Sequence, residues 1–406
     1  MNTNTLSNVL ATGLGVAMMF PAVASADQDR VSATEKGSLL VFPTVEVIYG
    51  ADYAHKDTVI QLTNDDNNPV DVQMYFVNGD GCCFTDVRIS LTANQPVYWK
   101  ASTGLPAAGG ISPWSILDNE CAFGAPADIR SDTKVYGFIV AWAVDAENKA
   151  IRHDHLAGNA TIFNFDRDYA WGYNAYAFQG LDTFDGSDGD LVIGEGADYA
   201  PGFAMLLMNF FAHGSTALSV DGYVTAETLT KLTLLPIDWD FRQETAGPPY
   251  TKAHMDVWNM NEVKLSGAYA CVDCWRQDYT DDLDGADHFN VENLQTDVGK
   301  VRIEGLASQL CPPFTDAWGH TITSAPHSLL GVAKTAIKVD GSNFGAVGHE
   351  LFGMGTEGGS LMYDPGTGPV PTGPGNYGSY SNFPSKNVWQ QQRPRQQNTR
   401  TTRSLR

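Results

Sequence analysis

The chain has 406 residues, 40 glycines, 20 prolines, six cysteines and a formal net charge of −22. Low charged content (18%) and abundant turn formers exclude a helical or coiled-coil protein and suit short strands joined by turns. Six of the 25 bases (Lys386, Arg393, Arg395, Arg400, Arg403, Arg406) and no acid lie from Pro365 onward, leaving 19 bases against 47 acids, a charge of −28, which repels nucleic acid and anionic lipid.

At the start, the apolar run Val9 to Phe20, helix-ending Pro21, the small-x-small Ala24-Ser25-Ala26 and polar Asp27 predict a signal peptide over 1–26. A secreted or periplasmic location follows. No Lys or Arg precedes the run, so the alternative is a buried N-terminal helix. This run and Phe203 to Ala212 both fall short of the ~20 apolar residues a bilayer requires, so no transmembrane span is expected.

The roughly 380 residues that remain exceed what one hydrophobic core normally serves. Two domains are expected, 27–180 and 181–364, then a disordered basic tail over 365–406 that could dock onto a neighbouring copy. Strands are predicted at Ser38–Ile48, Thr58–Thr63 and Val70–Phe76, the last alternating apolar Val70, Val72, Met74 and Phe76 with Asp71, Gln73 and Tyr75. Val87–Leu91 alternates in the same way. Val135–Val144 is apolar on both faces, and Ala160–Phe165 and Tyr173–Phe178 continue the series. Past a Gly/Asp-rich boundary at Gly180–Gly196 come Leu218–Val224, Thr228–Leu235, Val257–Leu265 and Val301–Leu306. Leu329, Val332, Ala333, Ala336 and Ile337 have helical spacing and predict one amphipathic helix near 327–338.

The segments Lys36-Gly37-Ser38-Leu39-Leu40-Val41-Phe42-Pro43, Leu62-Thr63-Asn64, Tyr75-Phe76-Val77-Asn78-Gly79, Ala141-Trp142-Ala143-Val144-Asp145 and His155-Leu156-Ala157-Gly158 resemble uncharacterised exported bacterial proteins with immunoglobulin-like β-sandwich character. The likeness covers most of the body but not the tail. It implies export and an all-β fold of two immunoglobulin-like β-sandwich domains with one or two short helices at most. It brings no activity or site.

Six cysteines in an exported chain are expected to pair. The simplest framework joins Cys82 or Cys83 to Cys121, and Cys311 to Cys271 or Cys274, leaving one cysteine over in each half. Cys271-Val272-Asp273-Cys274 also has the spacing of a redox pair or half a zinc site. It lacks a βαβ context, which favours structural disulfides.

Asp182, Asp185, Asp188 and Asp190 cluster in a glycine-containing loop, and Asp281, Asp282, Asp284 and Asp287 form a second run. Carboxylates on such loops suit Ca²⁺, although neither run fits an EF-hand. His153-Asp154-His155 sets two imidazoles at i and i+2, a start for a transition metal or else a polar turn. Trp171, Tyr173, Tyr176 and Phe178 read as core residues or as a sugar-stacking face. Gly353-Met354-Gly355-Thr356-Glu357-Gly358 matches a dinucleotide loop in spacing but leads into a strand, Gly359–Asp364, rather than a helix, which excludes that cofactor. The leading expectation is a secreted or envelope-associated, non-enzymatic structural or adhesive protein, whose partner is a second copy, a cell surface or a glycan. The alternatives are a calcium- or glycan-binding module and a secreted hydrolase with a dispersed site.

Overall fold

Alternation of apolar and polar side chains builds most of the first sheet. In the strand Val70–Asn78, Val72, Met74 and Phe76 are fully buried while Asp71 and Tyr75 face outward. The computed structural model describes residues 31–354, apart from 80, 83, 111–133, 182–183, 185–190, 192, 194–197, 222, 243–247, 284–286, 316–318 and 341–342. The signal-peptide segment, the basic tail, Cys83, Cys121 and Asp182, Asp185, Asp188 and Asp190 lie outside the described residues. So do Asp284 and residues 355–364.

Ten antiparallel strands form the first sheet: β1 Val31–Ser32, β2 Leu39–Tyr49, β3 Ala54–Asn64, β4 Val70–Asn78, β5 Phe84–Leu91, β6 Pro96–Lys100, β7 Lys134–Val144, β8 Leu156–Asn164, β9 Tyr169–Asn174 and β10 Tyr176–Phe178. Their central order is β5-β4-β7-β2-β3-β8-β9, with β6 beside β3 and β10 beside β2. The later strands are β11 Met205–Phe211, β12 Ala226–Pro236, β13 Tyr250–Asn259, β14 Lys264–Asp273, β15 Arg276–Tyr279, β16 Val298–Leu306, β17 Phe314–Thr315, β18 Thr321–Ile322, β19 Leu329–Val339, β20 Asn343–Glu350 and β21 Phe352–Met354. They make a five-stranded sheet, β14-β13-β16-β11-β21, a four-stranded sheet, β15-β12-β19-β20, and the small β17-β18 pair. Two one-turn helices, α1 Thr280–Leu283 and α2 Val291–Leu294, complete the described elements. The protein is all-β.

The segment 327–338 is a strand, not a helix. β19 pairs with β12 over eleven residues and with β20 along its other edge, and its first eight residues are buried. A strand covered on both faces reads as a continuous apolar run, which contains residues at helical spacing by default. Val257–Leu265 is likewise not one strand but the hairpin between β13 and β14. Asn259 Oδ1 accepts from the amides of Asn261 and Val263 at 2.9 and 3.0 Å, and Glu262 takes the left-handed φ of 63°. Leu218–Val224 is a turn closed by a single Val220–Val224 bridge.

One hydrophobic cluster runs from Val31 to Leu351 and crosses the boundary expected at 180. The described residues belong to one compact unit. Specific links fasten the later strands to the first sheet. Trp275 Nε1 donates to the Pro43 carbonyl at 2.8 Å. The buried Tyr176 hydroxyl sits 2.8 Å from the carbonyl oxygen of Gly331 and 2.9 Å from that of Leu351. β20 packs against β9 so closely that a Cβ on Gly348 would meet the Trp171 ring at 2.2 Å.

Candidate functional site

Two arrangements stand out. The first is a charged cluster between the first sheet and the four-stranded sheet. A bulge after Phe42 in β2 sets Thr44 and Glu46 on the inward face. Glu46 is fully buried, and its main-chain amide and carbonyl both engage the Thr58 hydroxyl at 2.9 Å. Its carboxylate accepts from Lys56 Nζ at 2.6 Å and from Gln277 Nε2 at 3.1 Å. β12 and β19 add Lys231 and Lys334. Lys231 donates to Gln277 Oε1 at 2.5 Å and lies over the rings of Tyr136 and Tyr279 at 5.2 and 5.8 Å. Lys334 donates to the Tyr169 hydroxyl at 3.0 Å.

The charges are unequal, with three ammonium groups around one carboxylate. Burial pushes the Glu46 carboxyl up, but Lys56, Lys231 and Lys334 together overcome that and hold it at about 2. Burial likewise works to lower Lys56, yet its direct pairing with Glu46 leaves it raised. Lys231 is lowered, because burial and the like charges of Lys56 and Lys334 outweigh the attraction of Glu46. Sequence reading passed over these residues. Their signal was an isolated acid or base inside an otherwise apolar strand, as in Val45-Glu46-Val47 and Leu330–Ile337.

The second arrangement is a groove on the outer face of the first sheet. Strand register places Tyr98 of β6 opposite Gln61 of β3, Gln61 opposite Asn159 of β8, and Asn159 opposite Asn174 of β9. Four side chains therefore form one row across four strands, spanning about 14 Å at the usual inter-strand spacing. The groove has two lobes of about 650 and 400 Å³ that share Gln61, Asn159 and Asn174. The Tyr98 ring is exposed. Glu350 closes the β9 end, accepting from the Asn174 main-chain amide. Among the described residues, the Gln61, Asn159 and Asn174 side-chain amides make no hydrogen bond, so they are available to a ligand.

The residues singled out from the sequence are placed as follows. Cys271 bonds to Cys311, as one of the expected pairings had it, and Cys82 bonds to Cys274 rather than within its own half. The Cys271-x-x-Cys274 spacing is therefore neither a redox pair nor a zinc half-site; its two sulfurs serve different disulfides. Trp171, Tyr173, Tyr176 and Phe178 are buried core residues, not a sugar-stacking face. His153 and His155 lie in the turn entering β8, with rings 5.4 Å apart. His153 Nε2 sits 3.0 Å from Asn64 Oδ1, and Asp66 Oδ2 is 3.8 and 3.9 Å from nitrogens of the two rings. Asp281 and Asp282 belong to α1, and Asp281 Oδ1 lies 3.0 Å from His213 Nδ1. Among the described residues, no three His, Cys, Asp or Glu side chains converge on a point where a metal ion could be held. Among the same residues, no helix is long and apolar enough to cross a membrane.

The fold and these two sites define an all-β, disulfide-braced protein with a polar groove on one sheet face. Protein-family models give no match to the chain, and the curated proteins give none either.

Proposed function

We propose that this is an exported, non-enzymatic adhesive or structural β-protein that binds a neutral, hydroxyl-rich ligand, a glycan, along the Tyr98–Gln61–Asn159–Asn174 row. The observation that carries this reading is the row itself. Carboxamides both donate and accept, which matches the dual character of sugar hydroxyls. An exposed tyrosine ring offers the flat apolar surface on which a pyranose face packs. Two disulfides suit an oxidising compartment, in keeping with the expected signal peptide.

The test is a binding screen of the mature protein against neutral and acidic oligosaccharides, followed by titration of the best ligand. Each hydrogen bond or ring contact is worth about 1 kcal/mol, so Asn159→Ala and Tyr98→Ala should each weaken binding by roughly fivefold, with unchanged melting temperature. Absence of any oligosaccharide ligand, or a Tyr98→Ala/Asn159→Ala double variant that binds as the wild type does, would remove the reading.

A further inference from the structure

We propose that Lys231 and Gln277 become joined by an intramolecular isopeptide bond, formed inside the folded protein with Glu46 positioning the leaving nitrogen of Gln277. The argument begins with register. In the β12–β15 pair, Lys231 lies opposite Tyr279 and Thr233 opposite Gln277, so all four side chains share one face, turned toward Thr44 and Glu46 of β2.

The Gln277 carboxamide is held in one orientation. Its nitrogen faces three acceptors: Thr44 Oγ1 at 2.8 Å, Thr233 Oγ1 at 3.0 Å and Glu46 Oε1 at 3.1 Å. Flipping the amide would set its oxygen against the Glu46 carboxylate and its NH₂ against the Lys231 amine, so electrostatics fix the assignment. The carbonyl oxygen therefore points at Lys231 Nζ, 2.5 Å away.

The neighbouring bases are engaged elsewhere: Lys56 is paired with Glu46, and Lys334 with the Tyr169 hydroxyl. Lys231 has neither carboxylate nor phenol as its hydrogen-bond partner among the described residues. Tyr136 and Tyr279 flank its side-chain nitrogen. Burial and the like charges of Lys56 and Lys334 lower its pKa, the direction that eases loss of the proton before attack.

The reaction balances without a further reagent. The Nζ lone pair attacks Cδ of Gln277, and the carbonyl π electrons move to Oε1. The proton lost from Nζ is taken up by the departing Nε2, which Glu46 holds in place by accepting a hydrogen bond from it. The Cδ–Nε2 bond breaks, ammonia leaves and a secondary amide joins Lys231 to Gln277. The bond would fix β12 to β15 covalently, beside the Cys82–Cys274 disulfide that anchors the chain just before β15.

The experiment is intact-mass spectrometry of the purified mature wild-type chain, followed by peptide mapping. The expected result is a mass one ammonia below that calculated with disulfides intact, and a branched peptide joining Lys231 to Gln277. Lys231→Arg, which keeps the charge but cannot form this amide, should regain the ammonia. A full mass, with Lys231 and Gln277 in separate peptides, would overturn the proposal. So would ammonia loss that persists in Lys231→Arg, or a hydroxylamine-sensitive link from Gln277 to Thr233 or Thr44. Should Lys231→Arg fail to fold, the wild-type mass and map decide alone.

Discussion

Glu46→Gln is expected to destabilise the protein by about 3–5 kcal/mol, the cost of removing one member of a buried ion pair. The substitution keeps the shape and an acceptor oxygen, so the loss reports charge rather than packing. Lys56, with 12% of its side chain exposed, would be left without its counter-ion, and Lys334 is itself buried. The pH dependence gives a sharper signature. Folding lowers the Glu46 carboxyl from the ordinary 4.5 to about 2. A carboxylate lowered in the folded state contributes stability that is complete above pH 4.5 and disappears as the pH falls toward 2. A shift of that size corresponds to about 3 kcal/mol, in line with the cost of breaking the pair. Urea unfolding from pH 7 to pH 2 should therefore show a steep acid limb in the wild type and a flatter one in Glu46→Gln. Adding Lys56→Met should restore part of the stability, because an absent pair is tolerated better than a broken one. Equal acid limbs would mean that other carboxylates govern acid unfolding.

How much of this was legible in the sequence follows from what each feature depends on. β4 and β5 showed in the period-2 pattern, since one face of each is covered. β7 showed as an apolar block. β19 has the same block character, but its apolar residues spaced by three and four imitate a helix, and one of its two pairing partners, β12, lies far back in the chain. The β13–β14 hairpin was hidden because Val263 and Leu265 continue the apolar tone of Val257 across a turn made by Asn259 and Glu262. The groove depends wholly on register. Tyr98, Gln61, Asn159 and Asn174 are unremarkable singly and become a row when four strands align. The charged cluster lay halfway: Glu46 stood out as an acid in an apolar strand, yet nothing local revealed which bases answer it. The cysteine pairing escaped for the same reason, because proximity in sequence favoured Cys82 with Cys121 over a partner 192 residues away.

That long separation makes Cys82–Cys274 the disulfide with more to lose. In the chain-entropy picture, closing a loop of this length removes about 5 kcal/mol of unfolded-state freedom, against about 4 for the 40-residue separation of Cys271 and Cys311. Two features pull in opposite directions from there. Cys82 and Cys274 both sit at positive φ, 55° and 31°, where a side chain costs about 1–3 kcal/mol, so part of the entropic gain is offset by backbone strain. Conversely, Cys274 immediately precedes Trp275, whose hydrogen bond to Pro43 and packing over Gly79 join the later strands to the first sheet. Loosening Cys274 loosens that contact too, and with it the approach of β15 to Glu46. The Cys82→Ser/Cys274→Ser variant should therefore lose more stability than Cys271→Ser/Cys311→Ser. Its amides at the end of β4 and in β15 should also lose protection from hydrogen exchange before those of β13 and β16 do. Chemical denaturation of the two variants, with exchange followed by mass spectrometry, measures both. If removing Cys271–Cys311 cost more, backbone strain at Cys82 and Cys274 would outweigh loop closure, and the longer bridge would fix the geometry of the joint rather than stabilise the fold.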